Sequence, residues 1–560
     1  MSFRRSMCGA VALGVLACCS TACTVSGKID DTNDPMGASG GGPSAGGEGP
    51  GASASGGSSV AMGIDLPGSP QYYRFVRLTN AQWTQSVQDI LALPSAAELS
   101  ANFGSPVAGT TDFTNNELLL DVNQRSWDDF QTAAETVAEQ VTSSAPALTR
   151  IYSGTDAAGF IKALGRRAYR RPLTAAEVTN YTTLFTAGSA LSGSKSEFAK
   201  GAGLVIRAML QSPHFLYRSE LSGAGAALTG YEIAAKLSLW LRGTTPSDAV
   251  LDMAPSLTTS DAAASLAETM LNEPSAVAVM RQFHGQLLHF DRLQTLSKTG
   301  VPSYADSLND EYRESSYLFF DKIFSEGLGL KEILTSTRGF MGAGMAKLYG
   351  VTPAGSGFTE QDLGANRVGF FSQLPYLTLN GLNAEPDPIH RGVSINLDVL
   401  CAPLGPPSAM LPPIPALESG QTNRQRITTL TAGCGGACHS KMINPIGFAF
   451  EHFDGMGQYR DSENGGLTID SSGSFDFSDG TKAFDDAAGL MRAMAESEQA
   501  HLCYAKKLAS FGMQRDVIPR DLALVKALAA VSRAANGSVK QVMTELVKND
   551  AFRKHIGAAP

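Results

Sequence analysis

The sequence has few charged residues for its length. Asp, Glu, Lys and Arg make up 17% of its 560 residues, against about 25% in typical soluble domains, and no basic run follows the N-terminus. Because nucleic-acid binding needs a basic stripe or patch, this composition argues against a nucleic-acid partner. The apolar fraction of 43% is still large enough for several packed cores.

Long apolar runs are also missing. The apolar run over residues 7–17 follows two arginines and is shorter than the ~20 residues that a membrane-spanning helix needs. A basic start with a short apolar run is typical of a signal peptide. VLAC, ending at Cys18, resembles a bacterial lipobox, and STAC, ending at Cys23, is the alternative. We expect residues 1–18 to be a lipoprotein signal peptide, and a lipid to anchor the protein in the cell envelope, facing the periplasm or the outside.

The next segment lacks large apolar residues. Residues 24–68 are rich in Gly, Ser, Ala and Pro, and such a composition cannot bury a core. We therefore expect residues 19–70 to be a disordered tether, with a flexible-coil span of roughly 35–40 Å. Limited proteolysis should release a folded body that begins near residue 70.

Cysteine is scarce in the remaining chain, which keeps four of the eight: Cys401, Cys434, Cys438 and Cys503. An exported protein lies in an oxidising compartment, where disulfides persist. Cys401 and Cys503 lie outside the closely spaced pair, and two leftover cysteines are expected to bond to each other. We predict a Cys401–Cys503 disulfide with Cα atoms within roughly 7 Å. The alternatives are two buried free thiols or a bond to Cys434 or Cys438.

Helical signals dominate the body of the chain, and strand signals are few. The stretch LTIDSSGSFDF alternates around Gly473 and predicts one β-hairpin. Three segments begin with a capping box, in which Ser or Thr is followed three positions later by Glu or Gln: Thr174 with Glu177, Thr229 with Glu232, and Ser538 with Gln541. The predicted fold is mainly α, with several helical modules and one small β-hairpin.

Five stretches carry a resemblance to a known family. They are FVRLTNAQWTQSVQDILAL, LGRRAYRRPLTAAEV, YEIAAKLSLWLRGTTPSDAVL, CHSKMINPIGFAFEHFDGMGQYR and HLCYAKKLASFGMQR. In this order they resemble the domains of unknown function 1587, 1595, 1592, 1588 and 1585 of secreted planctomycete and myxobacterial proteins. We expect helical modules over 71–150, 151–222 and 223–355, a cysteine-motif module over 360–482, and a C-terminal helical module over 483–556.

The fourth stretch continues a Cys-Cys-His motif formed by Cys434, Cys438 and His439. Two cysteines followed directly by a histidine suggest covalent haem attachment. The usual haem-attachment motif has two residues between its cysteines, whereas this sequence has three. In the haem interpretation, both cysteines bind the haem and His439 is the proximal iron ligand. Its other ring N–H then needs an acceptor, for which the Pro445 backbone carbonyl is a candidate. The resemblance implies a cytochrome c-like C-terminal part and supports haem c.

The residues alone leave other interpretations open. Cys434 and Cys438 can form a short disulfide, or they can bind zinc together with His439 or His452. A distal iron ligand is not evident, because Met442 lies only three residues from His439. The remaining candidates are His452, Met456, Met491 and Met494.

Signatures of common catalytic sites are missing. No Gly-rich phosphate loop follows a strand, and neither a nucleophile elbow nor a zincin helix motif occurs. His284 and His289 lie on an apolar helix and are expected to be buried structural residues. The sequence predicts an exported electron-transfer protein, or part of an exported oxidoreductase system, with a redox partner protein. The alternative is a non-catalytic envelope binding or structural module, with a disulfide or zinc in place of haem.

Overall fold

A computed structural model describes nine stretches of the chain: residues 64–66, 75–95, 99–105, 111–223, 225–352, 355, 357–405, 413–433 and 438–555. Outside these stretches lie the predicted signal peptide with Cys18, the alternative Cys23, Cys434, and all of the predicted tether except residues 64–66. Within them, no helix is both long enough and apolar enough to cross a membrane.

The described chain is mainly helical, which confirms the predicted fold class. Its α-helices are α1 (Asn80–Ile90), α2 (Gln124–Thr142), α3 (Ala145–Ile151), α4 (Ala157–Tyr169), α5 (Ala175–Ser189), α6 (Glu197–Gln211), α7 (Pro213–Leu216), α8 (Gly230–Leu241), α9 (Asp248–Met253), α10 (Ser260–Leu271), α11 (Pro274–Leu287), α12 (Leu308–Ser325), α13 (Leu330–Thr335), α14 (Ala343–Tyr349), α15 (Leu374–Leu379), α16 (Pro388–Ser394), α17 (Asn423–Thr431), α18 (Asn444–Phe448), α19 (Ala487–Glu496), α20 (Glu498–Met513), α21 (Leu522–Arg533), α22 (Val539–Lys548) and α23 (Asp550–Arg553). Two π-helical turns, Ile395–Val399 and His439–Ile443, extend α16 and precede α18.

Helices begin where the sequence places capping boxes. The backbone N–H groups of Thr174 and Thr229 donate to the carboxylates three residues later, each at 2.7 Å, and Ser538 N donates to Gln541 Oε1 at 3.0 Å. In each case the hydroxyl accepts from the N–H at the third helical position. These contacts satisfy donors that a helix start otherwise leaves unpaired.

The strands form small antiparallel pairs, and the predicted hairpin is wrong in its pairing. The strands are β1 (Phe75–Arg77), β2 (Tyr217–Ser219), β3 (Arg338–Met341), β4 (Thr359–Asp362), β5 (Ser462–Glu463), β6 (Leu467–Thr468), β7 (Gly473–Phe477) and β8 (Gly480–Phe484). They pair as β1–β2, β3–β4, β5–β6 and β7–β8. The alternation on the two sides of Gly473 belongs to two hairpins, β5–β6 before it and β7–β8 after it.

Within the described stretches, the buried apolar side chains form two cores instead of one per module. The first core draws on α1 to α7 and includes Trp83, Phe160 and Phe215. The second core, which we call the large core, draws mainly on residues 228–552. The first two predicted modules therefore fold around one core, and the last three fold around the other.

The N-terminal part of the described chain also contacts the large core. Phe113 belongs to that core, and its ring stacks on Phe283 at a centroid distance of 5.5 Å. Ile64 and Leu66 pack against the same core. The sequence placed residues 64–66 in the tether, but these two apolar side chains make the segment part of the folded body.

Candidate functional site

The Cys-Cys-His motif lies between α17 and α18. Cys438 immediately precedes the π-helical turn His439–Ile443, and its carbonyl accepts hydrogen bonds from the N–H groups of Met442 and Ile443 at 3.0 and 2.9 Å. Single π-helical turns are often found at functional sites, because they re-aim side chains within a helix. The turn places the His439 ring, which is partly exposed, at the start of this helical segment.

His439 is oriented by a chain of side-chain hydrogen bonds. The Thr431 hydroxyl donates to the carbonyl of Ile427 at 2.8 Å, so its oxygen accepts from Asn444 Nδ2 at 2.9 Å. This assignment directs Asn444 Oδ1 toward His439 Nδ1, at 3.2 Å. Because an amide oxygen only accepts, Nδ1 carries the proton and Nε2 keeps its lone pair for a ligand bond.

The acceptor for His439 is thus the side chain of Asn444 and not the backbone carbonyl of Pro445, which the sequence suggested. The Pro445 carbonyl oxygen lies beside the start of β7 instead, since a Cβ added to Gly473 would lie 3.1 Å from it. The sequence suggested Pro445 as the acceptor of the His439 ring N–H, but the preceding residue, Asn444, is the acceptor.

The candidate distal ligands lie in two different environments. Met456, Met491 and Met494 are buried in the large core. His452 is partly exposed, and its ring stacks on Tyr459 with centroids 5.3 Å apart and planes 6° from parallel. Its Nδ1–H donates to the Arg460 carbonyl at 2.9 Å, which leaves Nε2 as the ligand atom, as in His439.

Glu451 forms the centre of a buried polar cluster. Asn423 Nδ2 donates to both carboxylate oxygens, at 2.9 and 3.0 Å, and Arg460 Nη2 approaches Oε2 at 3.3 Å. A second buried carboxylate, Glu463, accepts from Asn423 N at 3.0 Å. Burial raises the pKa of Glu451 to about 7, although Asn423 and Arg460 favour the charged form.

Asp454, three residues after Glu451, does not join this cluster. Asp454 Oδ1 accepts from the N–H groups of Met456 and Gln458, at 2.9 and 2.8 Å, so Asp454 stabilises a turn. The partners of Glu451 come from α17 and from the chain after the turn. Sequence reasoning missed Asn423 and Glu463, since no local pattern connects them to Glu451.

Helix α17 connects the two polar groups. Asn423 stands at its first position and binds Glu451, whereas Thr431 stands at its last position and supports Asn444. The helix begins with a capping box between Thr422 and Gln425. The orientation of His439 therefore depends on the same helix that holds the buried carboxylates.

Arg391 is fully buried and positions the loop after α18. Its Nη1 donates to the carbonyls of Phe450 and Phe453, at 3.1 and 2.8 Å, and its Nη2 donates to those of Asp454 and Leu377, at 2.6 and 3.3 Å. Burial lowers the pKa of the guanidinium to about 10. A planar fork with five donors suits this task, and no sequence pattern had indicated it.

The predicted Cys401–Cys503 disulfide is confirmed. The two Cα atoms lie 5.3 Å apart, and the bond joins residues 102 positions apart. Cys401 follows the π-helical turn Ile395–Val399, and Cys503 is buried on α20. The bond connects the module that carries α16 to the last module.

The two π-helical turns contact each other. Asn396 Nδ2 donates to the carbonyl of Met442 at 3.0 Å and to that of Gly392 at 2.8 Å. Gly392 packs so closely on the second turn that an added Cβ would lie 2.2 Å from the Ile443 carbonyl oxygen. The segment that leads to Cys401 is thereby packed directly on the π-helical turn that follows Cys438.

The prediction for the histidines of the apolar helix is right for one and wrong for the other. His284 is buried, with Nδ1 3.1 Å from the Met280 carbonyl and Nε2 3.1 Å from the Tyr504 hydroxyl. Burial lowers its pKa to about 3. His289 lies beyond the end of α11 in a left-handed conformation, and its side chain is 51% exposed beside Asp398.

The described stretches offer no further candidate for a metal site. They contain no group of three or more His, Cys, Asp or Glu side chains placed to hold a metal ion. Cys434 is not among the residues described.

Fold and site together define a helical protein of several modules, with its Cys-Cys-His motif in the fourth. Family models match five successive stretches, each described as a protein of unknown function: DUF1587 at 77–143, DUF1595 at 156–220, DUF1592 at 228–351, DUF1588 at 367–463 and DUF1585 at 479–552. The chain therefore carries all five domains, in the order that its sequence predicted. No curated protein and no solved structure matches it.

Proposed function

We propose that the protein is an exported electron-transfer protein with haem c bound through Cys434 and Cys438, and with His439 as the proximal ligand. The hydrogen-bonded chain from Thr431 through Asn444 to His439 is the observation that supports it best. A metal-binding histidine needs one nitrogen held by an acceptor and the other available to the metal, and His439 meets both conditions.

The residues around the motif fit this group. Cys438 adjoins His439 at the start of the π-helical turn, and the ring of His439 is partly exposed. The extra residue between the cysteines falls in a stretch with Gly435 and Gly436, and glycine adopts backbone angles that other residues avoid. When bound, haem supplies a one-electron couple whose potential depends on its ligands and their hydrogen bonds.

The chain's own residues serve this role by holding the ligand. Asn444 keeps the proton of His439 on Nδ1, and Thr431 keeps Asn444 from turning over. Arg391 holds the loop that follows α18 and carries His452. Electron transfer requires a held cofactor and a docking surface, so it demands no further reactive residue.

The N-terminal segment would keep the protein at a membrane. A lipid on Cys18, or on Cys23 as the alternative, would anchor the chain in the cell envelope. The anchor would hold the folded body near the membrane, where it can meet a redox partner protein. A lipid-modified cysteine with several acyl chains gives stable anchoring.

The test is expression together with a c-type cytochrome maturation system. After denaturing electrophoresis, the wild-type band should stain for haem, and the Cys434→Ser/Cys438→Ser variant should not. Asn444→Ala should keep the covalent haem but change its reduction potential, because the histidine ligand loses its acceptor. A colourless wild type with a Cys434–Cys438 disulfide or bound zinc would overturn the proposal and favour a structural envelope module.

A further inference from the structure

An open cleft lies beside the Cys401–Cys503 disulfide. Its volume is about 400 Å³, and its walls come from residues 111–112, from the segment Leu397–Pro403 and from α20. Cys401 lines the cleft, whereas Cys503 is fully buried behind it. A reagent that enters from solvent therefore meets one sulfur of the disulfide before the other.

The backbone at Cys401 is strained. Its φ angle is +46°, in the left-handed region that favours glycine and is costly for a residue with a Cβ. Neighbouring hydrogen bonds hold the segment in place, since Ala402 N donates to the Asn396 carbonyl at 2.8 Å. Breaking the S–S bond would let Cys401 leave this conformation.

Two lysines stand on the turn of α20 that follows Cys503. Lys507 pairs with Asp112 at 2.6 Å. Lys506 lines the cleft and has neither a hydrogen bond nor an ion pair within the described stretches. Residues three apart on a helix are neighbours on its surface, so a thiolate formed at Cys503 would have the Lys506 side chain as its neighbour on α20.

We propose that the Cys401–Cys503 disulfide is a thiol–disulfide exchange site that reacts with a dithiol partner entering this cleft. The proposal does not rest on the haem and goes beyond the proposed function, because it assigns a separate two-electron site.

The exchange takes two steps. A thiolate of the partner attacks Cys401 Sγ, the S–S bond breaks, and Cys503 leaves as a thiolate that carries the bonding electron pair. The second thiolate of the partner then attacks the partner's own sulfur in the mixed disulfide and releases the Cys401 thiolate. The partner is oxidised to a disulfide, the chain gains two electrons, and the two protons lost by the partner's thiols complete the new thiols of the chain.

The charges of the cleft select the kind of partner. Its lining contains four aspartates, Asp65, Asp112, Asp398 and Asp516, against the two lysines. Of these carboxylates, Asp112 pairs with Lys507, and Asp398 faces His289 at 3.8 Å. The excess of negative charge favours a thiol that carries a positive charge nearby and disfavours an anionic one.

The first test compares three small thiols on the native full-length protein: cysteamine, 2-mercaptoethanol and 3-mercaptopropionate. Rates are corrected for thiolate concentration and divided by the rates with a neutral small disulfide. We expect cysteamine to react fastest and mercaptopropionate slowest, with a spread of roughly fivefold to tenfold that shrinks in 1 M salt. Peptide mapping by mass spectrometry should find the trapped adduct on Cys401.

Three results with the small thiols would overturn the proposal, and a fourth comes from a pair of variants. The first three are a disulfide that reacts only after denaturation, an adduct on Cys503, and a reversed or absent order of the three thiols. Lys506→Gln should slow the attack by roughly threefold or more, since the leaving thiolate loses its counter-charge. The matched control is Lys526→Gln, on the exposed face of α21. Equal rates for both variants would contradict the role of Lys506 and with it the proposed site.

Discussion

The two cysteine regions of this protein differ in how their surroundings are built. The disulfide joins positions 102 residues apart and depends on the packing of α20 against the turn after α16. The Cys-Cys-His motif spans six residues, and its described support comes from the next few residues and from α17. A long-range covalent bond restricts the unfolded chain, whereas the contacts that support His439 are local and do not organise the fold.

The two regions nevertheless touch. The π-helical turn before Cys401 packs on the π-helical turn after Cys438, through Asn396 and Gly392. A substitution at this contact should alter the structure of both cysteine regions. A substitution within one region should alter that region alone. This contrast can be tested by variants whose expected effects run from large to small.

The largest effect is expected from removing the disulfide. The Cys401→Ala/Cys503→Ala double variant should lose about 2–5 kcal/mol of unfolding free energy, because the unfolded chain gains the freedom of a long loop. Urea denaturation without reductant measures this loss. In reductant, the difference from the wild type should nearly vanish. A loss below about 1 kcal/mol without reductant would show that packing alone holds the modules together.

The next effect is a pH dependence due to Glu451. Burial raises the pKa of its folded form to about 7, above the ordinary value of the unfolded chain, so the folded state binds the extra proton. Stability should therefore fall as the pH rises from about 4.5 to 7, by on the order of 3 kcal/mol. Urea denaturation across this range should show the slope in the wild type.

The Glu451→Gln variant provides the comparison, since glutamine does not titrate. Its stability should change much less between pH 4.5 and 7 than that of the wild type. Glu268→Gln, at an exposed position of α10, should keep the slope of the wild type. An identical slope in Glu451→Gln and the wild type would contradict the assignment to Glu451.

A smaller loss is expected at the contact between the two regions. In Gly392→Ala the new methyl group would lie 2.2 Å from the Ile443 carbonyl oxygen, so the turns must separate, at a cost of about 1–3 kcal/mol. Nuclear magnetic resonance should show shifts near both Cys401 and His439. Gly223→Ala, where an added Cβ meets nothing within 4 Å, is the control. Shifts confined to one region would contradict the proposed connection.

The smallest effect is expected from Asn444→Ala. It removes the acceptor of His439 Nδ1 and the donor to Thr431, at a cost of about 1–2 kcal/mol for the buried groups left unpaired. The histidine resonances should change their tautomer, while the Cys401–Cys503 region should remain as in the wild type. Asn536→Ala, at an exposed position, should change neither. An unaltered His439 tautomer in Asn444→Ala would show that the ring is held by something else.

Local chemistry explains what the sequence revealed. A capping box such as Thr229 with Glu232 needs only four residues. The Cys401–Cys503 pair was predicted by counting the cysteines and by expecting the protein to be exported. The hairpin prediction was wrong because an alternating pattern around Gly473 indicates strands but does not determine which segment each strand pairs with. Asn444 was missed because the acceptor for His439 was expected to be the backbone carbonyl of the adjacent Pro445.

Long-range packing accounts for the rest. Glu451 meets Asn423 and Glu463 only after α17 and the chain beyond the turn have folded together. Arg391 donates to backbone carbonyls of residues about 60 positions away. Since every residue has a backbone carbonyl, no sequence pattern indicates these partners. The sharing of two cores among five domains likewise arises from contacts between modules and not from any one of them.

Intact-mass spectrometry of the denatured protein tests the central claim most directly. After expression with a c-type maturation system, the chain should carry the added mass of one haem that survives denaturation and reduction. The mass should be lost in Cys434→Ser/Cys438→Ser and kept in Cys401→Ala/Cys503→Ala. A wild-type mass without haem would contradict the account. A further gain of two hydrogens at the Cys434–Cys438 pair on reduction would show that these cysteines form a disulfide instead.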